Sequence, residues 1–156
     1  MIRPLLLAAG LLCVASPAAL AETTFDLEWN AQREGYQLVM RDDGRTGSGN
    51  SPIFVGLACD RLALGVGIQF TSRPRVAGER ATVSGTIGQG NVAESWHWRN
   101  GVALTSWKET LFLADLAKSG DWIVIWIGNV RGVLYTGFSR LQVLEDFLRK
   151  CLALTQ

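Results

Sequence analysis

The stretch Pro52–Phe70, PIFVGLACDRLALGVGIQF, decides how this chain folds. In its second half, Leu62, Leu64, Val66, Ile68 and Phe70 fall on one side of an extended backbone. Ala63, Gly65, Gly67 and Gln69 fall on the other. A period of two is the strand period, so Arg61–Phe70 is predicted to be a strand with one apolar face. The tiny residues on the second face imply that another surface approaches closely or that the strand bends. Pro52–Ala58 reads as a short apolar strand that ends against Cys59.

The same alternation extends outward in both directions. Upstream, Phe25, Leu27 and Trp29 oppose Asp26 and Glu28, and Tyr36, Leu38 and Met40 repeat the pattern. A polar, glycine-rich loop over 41–51 follows. Downstream, Pro74 and Gly78 mark a loop, and in Ala81–Ile87 the pair Val83 and Ile87 opposes Thr82, Ser84 and Thr86. A turn at Gly88–Asn91 leads to a strand over Val92–Arg99. Asn100-Gly101 is the strongest short hairpin signal in the chain, with Val102–Trp107 returning from it. Asp121–Val130 is apolar, short and rich in β-formers, and is predicted to be one buried strand.

Two segments change period. Lys108–Lys118 carries Phe112, Leu113 and Leu116 at helical spacing and stops at Ser119-Gly120. Near the C-terminus, Ser139 with Gln142 fits a capping box. Beyond it Leu141, Leu144, Leu148, Cys151 and Leu152 form one helical stripe. The predicted fold is all-β: a single β-sandwich or barrel-like domain over 22–156, with a short helix and a docked C-terminal helix.

The first residues read as an export signal over 1–21. Arg3 is the positive start, Leu5–Val14 the apolar run, and Ala19-Leu20-Ala21 an A-x-A cleavage site. The run is too short for a membrane span, which needs about 20 apolar residues. A periplasmic or extracellular location is therefore expected, with no membrane span in the mature chain. Cys13 leaves with the signal. Cys59 and Cys151 are the remaining pair in an oxidising compartment, where a disulfide is the default, and it would staple the last helix to the sheet. The chain has 15 Lys and Arg against 14 Asp and Glu, and cleavage removes Arg3 alone. So balanced a charge gives no reason to expect nucleic acid as a partner.

No catalytic pattern stands out. His97 is the single histidine. It shares a strand face with Ser95 and Arg99, too far along the strand to act as a base for Ser95. It has no second imidazole with which to hold a metal, and no metal or cofactor is expected. Asp42-Asp43-Gly44 lacks the spacing of a calcium loop. The glycine-rich turns lack the Lys-Ser/Thr ending of a phosphate loop. The six tryptophans are the more informative feature: Trp29, Trp96, Trp98, Trp107, Trp122 and Trp126. Exposed, such rings are platforms for sugars or partner side chains, and buried, they fill a core. The candidate binding surface is Trp96, His97, Trp98 and Trp107, with Trp107 the first to examine for exposure.

Several of these segments together resemble the type VI secretion-associated, VasI/TagO-like periplasmic family. The resemblance runs over about 50–151. It consists of the strand ending in Cys59, the alternating strand Arg61–Phe70, the tryptophan hairpin Trp98–Ala103, the segment Leu111–Leu116, and the run from Phe138-Ser139 to Cys151. The family's N-terminal segment with its own cysteine pair has no counterpart here. The resemblance implies a non-enzymatic periplasmic accessory or binding domain with a protein partner from an envelope or secretion system. Two other functions fit the same sequence. One is an envelope inhibitor or carbohydrate-binding domain with a glycan partner. The other is an envelope hydrolase using two of the carboxylates.

Overall fold

The computed structural model describes residues 23–44, 49–87, 90–110, 122–135 and 138–156. The segment read as an export signal, the middle of the predicted polar loop, Gly88-Gln89 of the predicted turn and residues 111–118 of the predicted short helix lie outside the described residues. Nine strands form one antiparallel sheet: β1 (Thr24–Asn30), β2 (Gly35–Asp42), β3 (Ile53–Cys59), β4 (Leu64–Phe70), β5 (Arg80–Ile87), β6 (Gly90–Arg99), β7 (Val102–Ser106), β8 (Trp122–Ile127) and β9 (Val130–Tyr135). Their order across the sheet is β1-β2-β3-β4-β7-β6-β5-β8-β9.

Alternation explains the core directly. Leu38, Leu57 and Val66 stand opposite one another across β2, β3 and β4, and Met40, Val55 and Ile68 form the next rung. All six are buried. Each fully buried side chain of this size contributes about 1.5–3 kcal/mol relative to exposure. The sheet then folds over so that β9 packs against β2 and β3. The Ser51 amide donates to the Arg131 carbonyl at 2.7 Å, which pins β9 to the start of β3. Gly132 makes this approach feasible, because a Cβ there would stand 2.5 Å from the Phe70 ring and 3.0 Å from Ile53 Cβ. Ile123, Ile125 and Ile127 of β8 line the covering half. The sheet remains open, with β1 and β9 as its edges, so the architecture is a folded-over, sandwich-like sheet and not a closed barrel.

The helix α1 (Phe138–Ala153) lies across β2 and β1. A disulfide joins Cys151 of α1 to Cys59 at the end of β3, with Cα atoms 5.8 Å apart. Leu144, Phe147 and Cys151 form its buried stripe, while Leu152 is 65% exposed. The expected stripe is thus turned toward Phe147, and Leu152 falls off it. α1 begins at Phe138, so Ser139 lies within its first turn and does not precede it.

Two strand expectations need correction. Leu62 does not join the apolar face, because β4 starts only at Leu64 and Leu62 is 95% exposed. Asp60 Oδ1 accepts from the Leu62 and Ala63 amides at 2.8 and 2.9 Å, and that turn ends the extended run. Asp121–Val130 is not one strand either. Gly128, at φ 57°, opens a two-residue turn with Asn129, and β9 returns from it. The Asn100-Gly101 hairpin forms as predicted, with both residues at positive φ (52° and 82°) as its tight turn requires.

Candidate functional site

The disulfide lies in the wall of an apolar concavity. Three segments distant in sequence meet there: the β3–β4 turn, the end of β7 with the 3-10 turn Trp107–Glu109, and the last turns of α1. The groove has a volume of about 560 Å³. Leu62 and Leu152 stand exposed at its rim, and Leu64, Trp107 and Leu148 are half-buried in its walls. Two large apolar side chains held in water beside a partly covered indole mark a surface suited to contact.

The polar content of the groove is sparse. Asp60 and Lys108 contribute the only charges among its lining residues. Hydrogen bonds from the Leu62 and Ala63 amides hold the Asp60 carboxyl below its ordinary pKa of 3.8, and the positive charge of Arg33 adds to the effect. Asp60 is therefore ionised at neutral pH and occupied in forming the turn. That makes it a structural acceptor and a poor proton donor.

The four candidate surface residues are divided by the structure. Trp107 lines the groove. Trp98 is half-buried against the core. Trp96 is 1% exposed and cannot be a platform, since its ring fills the interior opposite Ala81 of β5. Its indole N–H donates to Glu94 Oε2 at 2.8 Å, which satisfies a buried donor. His97 lies on the opposite, exposed face of β6 beside Arg80, with Nε2 and Nη1 3.5 Å apart. Arg80 Nε also donates to Ser95 Oγ at 2.8 Å. Of the four, Trp107 lines the groove, and His97 belongs to the Arg80 cluster on the exposed face of β6.

Elsewhere, Asp42 is buried at the end of β2 and accepts from Thr23 Oγ1 and from the Gly44 amide. These bonds give that acidic turn a structural role. Among the described residues, no group of three His, Cys, Asp or Glu side chains is placed to hold a metal ion. Among the same residues no helix is long and apolar enough to cross a membrane.

Leu62, Leu64, Leu148 and Leu152 were absent from the candidate surface. The signal that pointed toward them was the Cys59–Cys151 pair, because a bridge between a strand end and a helix end fixes which loops become neighbours. No protein-family model matches this chain, and no curated protein or solved structure does either.

Proposed function

We propose that this chain is a non-enzymatic binding domain of the bacterial envelope, an accessory to a secretion or envelope system, which holds an apolar segment of a protein partner in the groove beside the disulfide. The observation that carries the reading is the groove itself, with Leu62 and Leu152 exposed around the half-buried Trp107. Burial of such side chains is the main source of affinity in protein contacts. The disulfide and the export-type leader fit an oxidising compartment.

The test is site-specific photocrosslinking from Leu62 and Leu152 in the producing cell. A discrete adduct with one envelope protein, lost on Trp107→Ala, is the expected result. Adducts with glycan would transfer the role to carbohydrate binding. Unchanged secretion after deletion of the gene, with no adduct at either position, would overturn the reading.

A further inference from the structure

The two edges of the sheet differ. β9 is covered: Val130, Gly132, Val133 and Leu134 are buried and the Arg131 carbonyl is taken by Ser51. β1 pairs with β2 through seven consecutive residues, from Thr24 opposite Arg41 to Asn30 opposite Gly35. No described strand pairs with its other side. β1 has no proline, no bulge and no lysine, and its two charges, Asp26 and Glu28, lie on one face of the strand. Every second backbone unit of such a strand presents its N–H and C=O outward.

The side chains of β1 define what would fit. On the core side, Phe25 and Leu27 are half-buried, and Trp29 is 49% exposed with its ring edge-on to Tyr36 at 4.9 Å. On the outer side stand Asp26 and Glu28, both exposed. Asp26 lies 3.5 Å from Arg41, and among the described residues Glu28 accepts from a neutral donor, Gln37 Nε2, at 3.3 Å. A second copy pairing antiparallel about Leu27 would set Asp26 against Glu28, and like charges directly opposite each other disfavour a sheet pair. An incoming strand with basic residues on its outer side and apolar residues on its inner side meets complementary groups on both.

We propose that β1 accepts an extended segment of another protein, alternating basic and apolar residues, as a tenth strand of the sheet. Main-chain hydrogen bonds supply the attachment and the outer acids select the sequence. This site is separate from the groove.

The test titrates the full mature chain with a nine-residue peptide alternating Lys and Val, and follows amide hydrogen exchange. The expected result is slowed exchange within 24–30. A Glu–Val alternating peptide is expected to bind at least about fivefold more weakly, as is the Lys–Val peptide to Asp26→Lys/Glu28→Lys, from two cross-strand charge pairs. The acidic-peptide comparison uses the unmutated protein and does not depend on that variant folding. Equal binding by a peptide of the same composition with its lysines in one block would overturn the proposal. So would protection that falls on β9 or α1, or protection of β1 that rises with protein concentration and needs no peptide.

Discussion

β1 and β9 are edges of one sheet and have opposite fates. β9 carries a glycine at the point of closest approach, so Ile53 and Phe70 pack onto its backbone and the edge disappears into the fold. β1 alternates acids with large apolar groups, and its outer acids keep one face in water. The difference shows that a sheet edge is closed by what its inner face permits to come near. Its hydrogen-bonding groups alone do not decide the matter. α1 packs against β2 and β1 and leaves the outer edge of β1 without a described partner strand, and one covalent bond ties α1 to the end of β3.

Breaking that bond has the largest expected effect. Cys59 and Cys151 are separated by 92 residues, and a loop of that length implies a loss of up to about 4–5 kcal/mol on Cys59→Ala/Cys151→Ala. Denaturant unfolding measures it, and exchange is expected to quicken first in α1 and β1 while β8 and β9 hold. An intermediate effect attacks the other edge. Gly132→Val drives a side chain into Phe70 and Ile53 and is expected to destabilise by about 1–3 kcal/mol. The same substitution at Gly56, where a Cβ meets nothing within 4 Å, serves as its mild control. The smallest effect lies in the turn beside the groove. Asp60 has a folded-state pKa below 3.8, so its contribution to stability is full above that value and disappears as the pH falls through the lowered folded one. Asp60→Asn keeps an acceptor oxygen but no charge, and its stability is expected to change less than the wild type's on acidification below pH 3.8.

How much of this was legible follows from the physics of each signal. The alternating faces of β2 and β4 were plain, because a period of two leaves each side chain only one of two sides. The disulfide was legible from the cysteine count and the oxidising compartment that the N-terminal pattern led one to expect. Trp96 was not, because a large aromatic suits a core and a surface equally, and only the position of β6 decides. The β8–β9 turn was hidden inside an apolar run, although Gly128-Asn129 is itself a two-residue hairpin signal. Leu62 was misplaced because alternation continues through a turn whose geometry Asp60 sets with its side chain. The groove escaped a linear reading for a different reason. Its walls come from residues 60–64, 106–108 and 148–155, which become neighbours only after the sheet curls and the helix docks.

Native-state hydrogen exchange of the oxidised protein without any ligand tests the central claim most directly. With the β9 edge buried and the β1 edge exposed, the amides of 130–135 that bond to β8 are expected to exchange only on global unfolding, and the outward-facing alternate amides of 24–30 orders of magnitude faster. Uniformly slow exchange in β1, or exchange in β9 as fast as in β1, would contradict it.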